Sequence, residues 1–112
     1  MILAKLPRVA RFMSKVLYTR HDNEVVKITL NNPSRNNAFD DEIISSLISI
    51  LEDIEHSDNI KLVVLDSSGK HFSAGADLNW MKRMSNCGHE ENLKDASMLT
   101  TMLQKLNNLK YP

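Results

Sequence analysis

The stretch with the clearest chemical potential covers residues 71–81, where small side chains surround a glycine. It follows an apolar run at residues 60–66 and a Ser-Ser-Gly turn, and it leads into a helical pattern. Gly75 can adopt backbone angles closed to other residues, and its small neighbours let a ligand approach the main chain. Peptide N–H groups beside a helix start can bind an oxyanion. We therefore expect the backbone of this loop, rather than its side chains, to bind a substrate.

The other reactive side chains do not form a recognisable site. The histidines lie in separate turns or element ends without metal-ligand spacing, so they are interpreted as surface or capping residues; they are His21, His56, His71 and His89. Cys87 has no partner cysteine, which excludes an intrachain disulfide and fits a reducing compartment. The glutamates at the helix-forming positions fall on polar faces and receive no catalytic role; they are Glu42, Glu52, Glu55, Glu90 and Glu91. No metal site is expected.

The elements that precede the loop begin with a predicted hairpin. Two β-rich runs, residues 15–20 and 24–30, flank the polar turn at residues 21–23. Apolar and polar side chains alternate in the second run, so one face of it should be buried. Pro33 then ends the strand because it has no N–H to give to a ladder.

After Pro33 the sequence predicts three helices and one further strand. Acidic residues at 40–42 suit a helix start, and an apolar stripe follows at Ile44, Leu47, Ile48, Leu51 and Ile54. Residues 60–66 predict a strand buried on both faces, so the order strand, helix, strand indicates a crossover unit. Residues 78–84 predict a short helix and residues 91–109 a second amphipathic one. The fold class is α/β, with βαβ units, three strands and three helices.

Composition limits the class of protein. The 112 residues are 42% hydrophobic and 25% charged, with zero formal charge and a pI near 6.9, so no basic field favours nucleic acid. No apolar run approaches the roughly 18 to 20 residues that a membrane span needs. We expect a cytoplasmic protein that binds neither nucleic acid nor membrane. Residues 1–12 are basic and amphipathic; they are interpreted as a disordered extension or an upstream start before Met13, with a mitochondrial presequence as the alternative.

The chain resembles the front half of the enoyl-CoA hydratase/isomerase (crotonase) family. The likeness rests on residues 72–78, on Asn31-Asn32-Pro33, and on Arg35-Asn36-Asn37-Ala38-Phe39 about forty residues earlier. The continuation at residues 79–84 is similar to bacterial methylglutaconyl-CoA hydratase-like members. The resemblance implies that residues 13–112 form the N-terminal part of a crotonase-like spiral. It covers nearly all of this chain but less than half of a family member.

The resemblance also implies a binding site. Ala76 occupies the place of the residue whose N–H is one of two that hold the thioester oxygen. Asp77, Leu78 and Asn79 match the segment beside the pantetheine and adenine of CoA; Asp77 could equally cap the following helix. Residues of the two loops complete the implied site: Ser73, Ala74, Gly75, Arg35, Asn37 and Ala38. Arg35 would approach the CoA phosphates, which a guanidinium can bind through two parallel hydrogen bonds, or else it is simply solvated. Trp80 is a candidate for the wall of the acyl pocket.

The activity implied by the resemblance is addition of water to a 2-enoyl-CoA, or isomerisation of its double bond, in fatty-acid or branched-chain amino-acid breakdown, including leucine degradation. Coenzyme A would enter only as part of the substrate, with no separate cofactor. The two glutamates that hydratases use, and the loop with the second oxyanion N–H, match nothing in these 112 residues, so we expect the chain alone to be inactive. The alternatives are a CoA-binding module completed by a partner chain and a non-functional gene remnant. Full-length relatives form trimers and hexamers.

Overall fold

The predicted hairpin forms the two central strands of the sheet. The computed structural model describes residues 9–12, 15–86 and 88–112. Strands β2 (Val16–Arg20) and β3 (Val25–Leu30) pair antiparallel, with Tyr18 opposite Ile28. Alternate side chains on both strands are buried, as the alternation of apolar and polar residues predicts. The hairpin prediction is confirmed.

A fourth strand extends the sheet beyond the three that were expected. Strand β1 (Val9–Phe12) pairs antiparallel with β2, and the sheet order is β1-β2-β3-β4. These four residues belong to the segment 1–12, for which a disordered extension or an upstream start was expected. Pairing with β1 satisfies backbone groups on the outer side of β2 that would otherwise form an open edge. Residues 1–8, 13, 14 and 87 lie outside the described residues, so the presequence alternative and the interpretation of Cys87 stay predictions.

Helix α1 (Asp41–Glu55) contributes more buried residues to the apolar core than any other described element. Its N-cap is Asp40, whose carboxylate accepts a hydrogen bond from the Ile43 N–H at 2.9 Å. The predicted stripe is confirmed and is wider than expected, because Ile43 and Ile50 are also completely buried while Ile48 is only partly so. An apolar face of this width packs on the sheet and on the last helix at the same time.

Strand β4 (Leu62–Ser67) follows α1 and pairs parallel with β3, so the strand-helix-strand unit is present. The prediction that this strand is buried on both faces is wrong. Leu62 is 42% exposed and the other five residues are half-buried. The reason is its place at the edge of the described sheet, where its outer side meets only the C-terminal residue: the Val63 N–H donates to the Pro112 carbonyl at 2.8 Å.

Two helices complete the chain. Helix α2 (Leu78–Ser85) follows the glycine loop, and helix α3 (His89–Asn107) packs on α1. Both predicted helices are confirmed, but the apolar stripe of α3 is largely uncovered: only Met102 is buried, and Leu93 and Leu103 are more than half exposed. Among the described residues, no helix has the length and apolar character to cross a membrane.

Candidate functional site

The site forms where two loops meet, one between β3 and α1 and the other between β4 and α2. Phe39 and Ala76 pair as an isolated parallel bridge. The Phe39 N–H donates to the Gly75 carbonyl at 2.6 Å, and the Phe39 carbonyl accepts from the Asp77 N–H at 2.6 Å. The bridge therefore uses backbone groups of the residues on each side of Ala76 and leaves Ala76 itself free of the ladder.

The Ala76 N–H points away from Phe39. It belongs to the same planar trans peptide as the Gly75 carbonyl, so the two groups point in opposite directions. Because the carbonyl faces Phe39, the N–H faces the other side of the loop. No acceptor for it occurs in the part of the chain that the structure describes, and Ala76 is exposed. An unpaired backbone donor at a loop surface can bind an oxygen of a ligand.

An open cleft of about 420 Å³ lies against this loop surface. Its walls come from both loops and from the start of α2, and small side chains predominate: Ser34, Arg35, Asn36, Ala38, Ala74, Ala76, Asp77 and Leu78. Because so few bulky groups stand in it, a ligand can reach the main chain, as the sequence of the loop predicts.

Six predicted binding residues line this cleft and four do not. Arg35, Ala38, Ala74, Ala76, Asp77 and Leu78 are brought together around it. Ser73, Gly75, Asn37 and Asn79 are not among its lining residues. Gly75 gives the loop its backbone conformation, since its φ of +86° is open to glycine. Apart from its chain neighbours, no described residue comes within 4 Å of where a Cβ would be. Asn37 is completely buried, and its side chain makes hydrogen bonds to backbone groups of the two loops.

Arg35 and Asp77 form an ion pair on the wall of the cleft. The Nε and Nη2 atoms of Arg35 lie 3.3 and 3.2 Å from one carboxylate oxygen of Asp77. The other oxygen accepts the Trp80 N–H at 3.1 Å, so Asp77 is the N-cap of α2, as the sequence allowed. The Trp80 N–H, and after it the Arg35 guanidinium, hold the pKa of the Asp77 carboxyl below its usual value. The Arg35 side chain is still 47% exposed, which leaves donors free for a phosphate.

A separate apolar cavity of about 200 Å³ lies between the sheet, α1 and α3. Its lining includes Phe72, Leu65, Leu103 and Leu106, none of which was predicted to line a pocket. Trp80, the candidate for an acyl pocket, lines neither this cavity nor the cleft; it is 5% exposed and packs in the core. In residues 9–12, 15–86 and 88–112, no three acidic, histidine or cysteine side chains come together as metal ligands.

Comparison with known proteins connects this geometry to one family. Residues 20–112 match the sequence profile of the family described as enoyl-CoA hydratase/isomerase. A Thermus thermophilus protein whose name places it with the enoyl-CoA hydratases is 37% identical over 82 residues, which are 73% of this chain and 32% of its own. The Escherichia coli 1,2-epoxyphenylacetyl-CoA isomerase is 36% identical over 60% of this chain and 26% of its own length.

The solved structures agree. The crystal structure of an enoyl-CoA hydratase from Shewanella pealeana superimposes with a TM-score of 0.83 and 34% identity, over 88% of this chain and 37% of that one. The crotonase-like α/β fold is therefore confirmed. The chain spans about a third of the length of the curated relatives it matches.

Proposed function

Because the chain belongs to the enoyl-CoA hydratase/isomerase family, we propose that it binds the thioester of an acyl-CoA, with the Ala76 N–H donating to the thioester oxygen. The observation that carries this proposal is the Gly75–Ala76 peptide. Its carbonyl is bound to Phe39, so its N–H points to the opposite side of the loop, and Ala76 lines a cleft walled mostly by small side chains. A thioester carbonyl placed there would meet a donor whose direction is already fixed before the ligand arrives.

The rest of the CoA would extend past Arg35. Its exposed guanidinium lines the same cleft, and a guanidinium binds phosphate oxygens through paired hydrogen bonds. The proposed whole-protein reaction is hydration of a 2-enoyl-CoA or movement of its double bond, including the branched substrates formed in leucine breakdown. In either reaction negative charge develops on the thioester oxygen, and one aligned donor is worth roughly 3 to 4 kcal/mol in comparable sites.

Removal of this one donor tests the proposal. Ala76→Pro deletes the N–H without breaking a hydrogen bond of the described residues. We expect wild type to bind butanoyl-CoA about fivefold more tightly than free CoA, the effect of one added hydrogen bond, and Ala76→Pro to lose that preference. Ala76→Ser keeps the N–H and should still prefer the thioester. Equal affinities of wild type for the two ligands, measured by calorimetry, would refute the proposed function.

A second candidate is an interaction module completed by a partner polypeptide. Val63 already donates from the outer side of β4 to the Pro112 carbonyl, so this side has a backbone donor that can bond to an extended segment. N–H directions alternate along a strand, so those of Leu65 and Ser67 face the same open side. A partner strand here would raise the sedimenting mass, and Leu65→Pro, which lacks the N–H, would prevent that. A chain that remains monomeric with every protein fragment of its relatives would exclude this candidate.

A further inference from the structure

We propose that Ser73 is a positioning residue that sets the direction of the Ala76 N–H, an inference that rests on the proposed function. The Ser73 hydroxyl donates to the Asn37 carbonyl at 2.8 Å and accepts from the Gly75 N–H at 3.2 Å. Both of these partners belong to the protein, and Ser73 does not line the cleft. The hydroxyl therefore acts on the loop and not on the ligand.

The Asn37 carbonyl is a fixed reference point for this hydroxyl. The Asn37 side chain is completely buried and spans the two loops. It accepts from the Asn32 N–H at 2.7 Å and donates to the carbonyls of Ser68 and His71 at 2.8 and 2.9 Å. Its φ of +55° lies in the left-handed region that asparagine tolerates better than most residues. Three side-chain hydrogen bonds to backbone on both sides leave the Asn37 carbonyl little freedom to move.

Ser73 connects the fixed Asn37 carbonyl to Gly75, and so to the Gly75–Ala76 peptide. Gly75 is held at both ends: its N–H by the Ser73 hydroxyl and its carbonyl by the Phe39 N–H. The Ala76 N–H lies in the same peptide plane as that carbonyl, so any rotation of Gly75 re-aims it. Gly75 has no Cβ, and apart from its chain neighbours none of the described residues lies within 4 Å of where one would be. Hydrogen bonds, rather than steric contact, must therefore restrain this residue.

The test compares two serines of the same segment. Ser73→Ala removes the hydroxyl that reaches Gly75, whereas Ser67→Ala removes one that donates to the His71 carbonyl at 3.2 Å. The Ser67 hydroxyl makes no hydrogen bond to Gly75, and the Asn37 side chain has its own bond to the same carbonyl. Ser73→Thr keeps the hydroxyl and serves as the rescue variant. The affinities of each chain for butanoyl-CoA and for free CoA are measured, and the amide proton shift of Ala76 is followed by NMR during each titration.

We expect wild type, Ser67→Ala and Ser73→Thr to show the roughly fivefold preference for butanoyl-CoA and a downfield shift of the Ala76 amide proton. Ser73→Ala should lose both while its affinity for free CoA stays within about twofold of wild type, a split that general loosening of the fold would not produce. If Ser73→Ala does not fold, Ser73→Cys replaces it, because a thiol of similar size is only a weak donor and acceptor.

Two results would count against the proposal in different ways. If wild type prefers the thioester and Ser73→Ala retains both the preference and the shift, Ser73 does not position the donor. If wild type itself shows no preference, the thioester site is refuted, and the role of Ser73 falls with it.

Discussion

Gly69 and Pro33 approach so closely that a Cβ added to Gly69 would lie 2.8 Å from the Cβ of Pro33. The contact joins the turn after β4 to the loop after β3, the same two loops that form the cleft. Gly69 also has a φ of +81°, a conformation that side chains with a Cβ rarely adopt. Both constraints fall on one residue next to the site.

Gly69→Ala should therefore destabilise the chain more than the other glycine substitutions. We expect a loss of about 2 to 4 kcal/mol in the free energy of unfolding, from backbone strain and the displacement of Pro33 together. Gly75→Ala meets no neighbour within 4 Å and should lose only the strain contribution, about 1 to 2 kcal/mol. Urea denaturation followed by circular dichroism measures the differences.

Gly88→Ala is the control for this series. Gly88 has an ordinary φ of −70° and open space where a Cβ would lie, and it loses only the N-cap preference at the start of α3, less than about 1 kcal/mol. Equal costs at Gly69 and Gly88 would show that the Pro33 contact does not restrain the loop.

The ion pair between Lys15 and Asp40 should make the free energy of unfolding depend on pH in the alkaline range. Lys15 donates to the carboxylate that caps α1 and lies 3.1 Å from Glu42, and the bond to Asp40 is the main reason that the pKa of Lys15 is raised above 10.5. A raised pKa means that the stabilisation is complete below 10.5 and is lost as pH rises through the folded-state pKa. The gap in unfolding free energy between wild type and Lys15→Met should be constant near neutral pH and shrink above about 10.5.

Lys27→Met is the matched variant for that experiment. Lys27 pairs with Asp66 at 3.1 Å, but its side chain is 46% exposed against 29% for Lys15, so its pair contributes less. If the two lysine variants showed the same stability curve from neutral to alkaline pH, the bond to the helix cap would have no special effect.

The carboxyl of Asp77 should titrate below its usual value of 3.8. The Trp80 N–H is the largest cause and Arg35 a lesser one, so Arg35→Met should raise the pKa of Asp77 only part of the way. A depressed pKa also means that the stabilisation is present above 3.8 and is lost as pH falls through the folded-state pKa. NMR titration of the Asp77 side-chain carbon measures the pKa in both chains. Full recovery of the usual value in Arg35→Met would show that the ion pair, and not the helix cap, controls this group.

Local patterns predicted most of the fold. The α1 stripe could be predicted because its period-3.6 spacing persists over about three turns, from Ile44 to Ile54. The hairpin could be predicted because apolar and polar residues alternate beside a polar turn. Strand β1 was missed because Val9–Phe12 holds only four residues in a basic segment. An apolar stripe or run shows which side chains are suited to burial, but it does not show whether another element packs against them. For this reason β4 and α3 are more exposed than the sequence predicts.

Local patterns also indicated part of the site, but not the contacts between its two loops. The small residues and glycine of one loop indicated a backbone donor, but the direction of the Ala76 N–H depends on Phe39, which lies 37 positions earlier in the sequence. Asn37 was expected at the binding site because it matches a loop of the family; nothing in the sequence indicated that its side chain bonds to backbone groups 5, 31 and 34 positions away. Contacts at that separation leave no periodic signal in the sequence.

The 112 residues alone should bind crotonoyl-CoA without hydrating it. The only carboxylate among the residues lining the cleft is Asp77, and both of its oxygens are already used, one by the Trp80 N–H and one by Arg35. General acid/base catalysis needs a group that can exchange a proton near the working pH, whereas the pKa of Asp77 is lowered. We therefore expect loss of the enoyl absorbance at the rate of buffer alone, with a full-length enoyl-CoA hydratase as the positive control. Turnover above buffer that disappears in Asp77→Asn would instead assign the proton transfer to Asp77 and show that this chain is catalytically complete.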